Sequence, residues 1–140
     1  MHNKDPDNKM RQGIEWTEQN KIRVRESDES QEKHLIVKAL VMLHLKIKHK
    51  KESHWIKLYS EFPIGDGKIC DIYYENIKTK EAYAYEIQKD VSKKWIKETS
   101  EAYKDWEVYG MKTTDYIVVD LNKLSDDLNV LGSQIRGLVL

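Results

Sequence analysis

Between Trp55 and Gln88 the chain alternates apolar and polar residues in three short runs, and this pattern constrains the fold more than any other feature. Successive side chains of a strand point to opposite faces, so period-two alternation reads as half-buried strand. The runs are Trp55 to Phe62, Ile69 to Tyr74 and Ala82 to Gln88. Gly65-Asp66-Gly67 is a strong turn, and Asn76 to Glu81 is a polar loop. Strands joined this closely meander antiparallel, and directly opposed residues then share a face.

The turns therefore decide which side chains meet. A first hairpin symmetric about Asp66 sets Glu61 opposite Asp71. A second, centred between Lys78 and Thr79, sets Asp71 opposite Glu86. Three carboxylates from three adjacent strands then line one face, with Gln88 two residues beyond Glu86. Strands lie about 4.8 Å apart, so neighbouring carboxylates can share one cation. On a covered face such acids repel one another, and a bound Mg²⁺ or Mn²⁺ relieves the repulsion while keeping waters for chemistry. On a solvated face the same acids simply alternate outward. The pattern alone leaves both readings open.

Helical periodicity flanks the strands. Ser30 reads as an N-cap, and Glu32 and Lys33 open a long helix. Leu35, Ala39, Leu43 and Ile47 recur every four residues, widened by Ile36 and Leu40, which predicts that this stripe is buried. The helix closes on Lys46, Lys48, Lys50 and Lys51, favourable at the negative end of its dipole. A second helix carries Trp95, Thr99, Ala102, Trp106 and Tyr109 on one side, with Gly110 placed to end it. Asp115 to Asp120 is an apolar, β-branched fourth strand, and Ser125 to Leu140 holds a short helix. The order helix, three strands, helix, strand predicts an α/β (α+β) fold, a mixed four-stranded sheet flanked by helices.

Residues 1–29 are polar with few apolar anchors, so this segment is expected to be partly mobile, with Lys21 to Arg25 a candidate edge strand. Residues 30–140 form the domain. Lys plus Arg and Asp plus Glu are equal at 24 each, which excludes a strongly basic nucleic-acid binder but not a locally basic groove. The single Cys70 cannot form an internal disulfide, and no apolar run is long enough to span a membrane. A cytoplasmic location is the expectation. His2, His44, His49 and His54 with Cys70 lack zinc-ligand spacing.

The stretch Glu61-Phe62-Pro63-Ile64-Gly65-Asp66-Gly67-Lys68-Ile69-Cys70-Asp71-Ile72-Tyr73, followed by Tyr85-Glu86-Ile87-Gln88, resembles the PD-(D/E)XK nuclease superfamily. It is most similar to the branch with Glu-x-Gln in place of Glu-x-Lys, found in competence-associated and RecB-like nucleases. The resemblance covers about Gln31 to Asp120 and implies a restriction-endonuclease-like core. It extends to small nucleases of archaeal viruses, which would place the protein in the host cell cytoplasm.

The resemblance implies that Asp71, Glu86 and the Ile87 carbonyl hold Mg²⁺ or Mn²⁺, with Asp71, Glu86 and Gln88 as the catalytic set. Glu61 would support a second ion or orient a water. Gln88 departs from the family's usual lysine, since an amide can hold water but supplies no positive charge. Lys89 and Lys57 are candidates to replace it, Lys57 because it shares the Glu61 face in a regular strand. His34 and Lys38, one turn apart, resemble a His-x-x-x-Lys element of the same branch. They are phosphate-contact candidates, although an ordinary solvated helix face would look the same. Lys93, Lys94 and Lys97 open the second helix just beyond the motif, near where a nucleic-acid backbone would run. Tyr103 resembles an aromatic of a related motif, with packing as its other role.

The implied activity is a metal-dependent deoxyribonuclease with little sequence preference, acting on DNA and possible as a homodimer. The alternative is a non-catalytic nucleic-acid- or protein-binding module on the same fold, with Gln88 as its main support. A third reading is an interaction protein whose carboxylates are incidental. DNA against RNA, and endo- against exonucleolytic cutting, stay open.

Overall fold

A computed structural model describes residues 32–65, 68–104, 106–108, 111–112 and 115–139. The expected edge strand at Lys21 to Arg25, the expected mobile segment, the Ser30 cap and Gly110 lie outside them. Chain order is α1 (Glu32–Lys48), a 3-10 segment (Lys50–Trp55), β1 (Ile56–Gly65), β2 (Lys68–Asn76), β3 (Glu81–Gln88) and α2 (Lys93–Tyr103). Then come β4 (Glu107–Val108), β5 (Met111–Lys112), β6 (Asp115–Asp120), a 3-10 turn (Leu121–Lys123) and α3 (Leu128–Leu138).

The fold is mixed α/β. A four-stranded sheet has the order β1-β2-β3-β6, with β4 and β5 forming a separate small ribbon. β1, β2 and β3 meander antiparallel, and β6 joins β3 in parallel after the crossover through α2. Asn76 closes the β2–β3 turn by accepting from the Lys78 and Thr79 N–H groups at 3.0 and 3.1 Å.

Two apolar clusters cover the two sheet faces. The larger joins Val37, Val41, Met42 and Leu45 of α1 and Leu131 and Ile135 of α3 to Leu58, Ile72, Tyr74, Tyr85, Ile87 and Val119 of the sheet. The other gathers Tyr59, Phe62, Cys70, Tyr73, Ala82 and Ala84 with Tyr103 of α2 and Trp106. Small alanines on β3 leave room there for the rings, and Phe62 stacks on Tyr73 with centroids 4.1 Å apart.

Two helices depart from the periodicity reading. α1 buries Val37, Lys38, Val41, Met42 and Leu45, whereas Leu43 and Ile47 are 50% and 61% exposed. At 3.6 residues per turn this face lies roughly half a turn from the stripe the spacing predicts. Apolar residues surround this helix, so two stripes of the same spacing compete, and packing against sheet and α3 selects one. α2 ends at Tyr103 instead of running to Tyr109. Trp106 leaves the helix and sets its edge against Phe62 and Tyr73, at interplanar angles of 68° and 74°. Its start has a cap the periodicity did not single out: the Ser92 hydroxyl accepts from the Trp95 N–H at 3.0 Å.

Candidate functional site

The strand register is the one the turns anticipate. Ser60 pairs with Ile72 and Phe62 with Cys70, which sets Glu61 opposite Asp71. Ile72 pairs with Tyr85, and continuing that register one step brings Asp71 to Glu86. There the two strands are joined by a side chain: Asp71 Oδ2 accepts from the Ile87 N–H at 2.7 Å.

The shared face is corrected, however. Glu61 has φ of 55°, the left-handed region, which breaks the alternation of β1. Phe62 consequently joins Tyr59 in the α2-side cluster, and its partner Cys70 joins Tyr73 there. Glu61 turns to α1 instead, where Lys38 Nζ meets its Oε2 at 2.7 Å. Both side chains are buried, 3% and 6% exposed. One turn earlier, His34 Nε2 lies 3.2 Å from Asp71 Oδ1. Lys38 is therefore buried and His34 partly so, and α1 lays them over two opposed carboxylates.

Glu86 is held from the other layer. Alternation places it with Ala82 and Ala84, and the Tyr103 hydroxyl donates to its Oε1 at 2.6 Å. Burial pushes the Tyr103 phenol well above its ordinary value, with further upward pressure from Cys70 and Glu86, so the phenol stays a proton donor. Burial likewise raises the Cys70 thiol, followed by the fields of Glu86 and Asp71. The two carboxylates are anchored by helices in different layers, Asp71 from α1 and Glu86 from α2.

The other predicted positions fall outside this cluster. Gln88 Nε2 donates to the Asp90 carbonyl at 3.4 Å, at the exposed end of β3. Lys57 lies opposite Glu75, four residues before Glu61, and the break at Glu61 separates the two faces. Lys89 is exposed, as are Lys93, Lys94 and Lys97 at the start of α2.

Asp71 and Glu86 are hard oxygen donors of the kind Mg²⁺ and Mn²⁺ prefer, and Mg²⁺ commonly takes one or two carboxylates and completes its shell with water. Among the described residues no group of three or more His, Cys, Asp and Glu is arranged to hold a metal ion, so a closed protein cage does not fit. Among those residues, too, no helix is long and apolar enough to cross a membrane.

Compared with known protein families, curated proteins and solved structures, the chain matches none.

Proposed function

We propose that the protein is a Mg²⁺- or Mn²⁺-dependent nuclease of PD-(D/E)XK type that hydrolyses phosphodiester bonds of DNA. The observation that carries this reading is the bond from the Ile87 N–H to Asp71 Oδ2, which ties Asp71 of β2 to the residue next to Glu86 on β3. Asp71, Glu86 and the Ile87 carbonyl would hold the ion, which supplies an activated water and stabilises charge on the phosphate. Tyr103 orients Glu86 through its Oε1, while His34 and the Ile87 N–H orient Asp71 through Oδ1 and Oδ2.

Lys93 and Lys94 support a nucleic-acid partner. They occupy the first turn of α2, at the positive end of the helix dipole, where cations are disfavoured unless an anion approaches. A homodimer serving the two strands of a duplex belongs to the same reading, and light scattering tests it.

The decisive assay is cleavage of linear and supercoiled DNA with Mg²⁺ or Mn²⁺. Wild type should cut, and Asp71→Ala and Glu86→Ala, folded by circular dichroism, should lose on the order of 10²-fold or more in rate. A wild type without metal-dependent cutting, or a Glu86→Ala protein that cuts equally well, sinks the reading. The second reading, a binding module without catalysis, draws on the neutral Gln88 and its contact with Asp90. DNA binding that is indifferent to divalent ions would favour it.

A further inference from the structure

We infer that the outer face of α1 is a dimerisation surface, on which α1 of a second copy of this chain packs antiparallel about a two-fold axis. The inference supplies the homodimer named above with an interface, and it holds or fails separately from metal-dependent cleavage.

α1 is apolar on both sides. Val37, Val41, Met42 and Leu45 are buried against the sheet and α3. At about 100° per residue, Ile36, Leu40, Leu43 and Ile47 centre on the opposite side. Ile36, Leu43 and Ile47 are 40%, 50% and 61% exposed, and Leu40 is only partly covered. A helix that is apolar all round is normally buried all round, so this outer stripe calls for a cover. Its spacing of four, three and four residues is the a/d repeat of a two-helix seam.

The stripe itself indicates the occupant. Ile-Leu-Leu-Ile at those spacings reads the same in both directions. A two-fold axis across its midpoint therefore sets Ile36 against Ile47 of the partner subunit, and Leu40 against Leu43 of the partner subunit. Charge agrees with this direction. Exposed Glu32 opens α1, and exposed Lys50 and Lys51 follow its other end. Antiparallel packing brings Glu32 toward the basic end of the second copy, twice over, whereas parallel packing crowds the lysines together. One helix from each copy is a small contact beside the roughly 1,200–2,000 Å² of a standard interface, so the pair should dissociate on dilution.

Sedimentation velocity of the full chain over a dilution series reads the mass. Wild type should approach twice the mass of one chain at high concentration. Leu43→Glu, at a half-exposed position, should raise the dissociation constant about 10²-fold or more, because the two-fold axis enters the substitution twice. Charge exchange reads the orientation. Ile36→Glu and Ile47→Lys should each be monomeric, and their equimolar mixture should dimerise again, since antiparallel packing sets one against the other. Circular dichroism checks that each variant is folded. A merely sticky surface does not recover on mixing. A wild type that stays monomeric overturns the inference; if Leu43→Glu then speeds proteolysis within residues 1–29, that segment covers the face instead. A dimer untouched by Leu43→Glu, or a mixture that stays monomeric, overturns it too. Metal-dependent cleavage is scored apart, so failure of the dimer leaves the nuclease reading standing, and the reverse holds.

Discussion

Tyr103 shows how one hydroxyl can link packing to chemistry. Its ring stacks on Tyr116 with centroids 5.0 Å apart, and its oxygen donates to Glu86 at 2.6 Å. Tyr103→Phe keeps the stack and deletes the donor. A hydrogen bond to a charged acceptor contributes roughly 1.5–3 kcal/mol, so urea unfolding should show a loss of about that size. Mn²⁺ should also bind more weakly, since Glu86 loses the group that orients it. An unchanged unfolding midpoint would remove Tyr103 from the site. In the sequence this residue is legible as a second-helix aromatic that resembles one of a related motif, but its partner is not. The aim of its hydroxyl depends on how α2 settles against β3, which no local pattern encodes. Glu61 is the converse case: its position opposite Asp71 is legible from the turn, but its direction is not, because a single residue with φ of 55° reverses it.

At the scale of an element, α1 is where the sequence pattern misleads. Leu43 and Leu45 are the same residue type two positions apart, yet Leu43 is 50% exposed and Leu45 is 1% exposed. Leu45→Ala should therefore cost about 2–5 kcal/mol, and Leu43→Ala no more than about 0.5 kcal/mol. Chemical denaturation of the two variants checks this, and the reverse ranking would restore the stripe that the spacing predicts. α1 owes its orientation to more than apolar burial. Lys33 Nζ bonds the Leu124 carbonyl at 2.7 Å, and Lys48 Nζ bonds the Val139 carbonyl at 2.8 Å, tying both ends to the segments around α3. Those ties turn His34 and Lys38 inward. α2 differs in its end rather than its face, since Trp106 gains more from the aromatic cluster than from another helical turn.

For the whole molecule, equal numbers of acidic and basic residues mean that any nucleic-acid affinity must come from local charge. Lys93, Lys94 and Lys97 are exposed together just beyond β3, the strand that carries Glu86. Replacing all three by Gln should lower the slope of log affinity against log salt by about 0.9 for each phosphate that a lysine had neutralised. A slope unchanged within error would move the nucleic-acid path elsewhere. What the sequence determined by itself is what depends on local periodicity and turn geometry: the order of elements, the mixed sheet and the register that opposes Glu61, Asp71 and Glu86. Strand alternation and turn length act over a few residues, so they can be read along the chain. The tertiary structure alone decided which face of α1 is buried, where Glu61 points, and which partners hold each carboxylate. Those outcomes compare nearly equal local choices, and only simultaneous packing of α1, α3 and the sheet on one side and α2 on the other separates them.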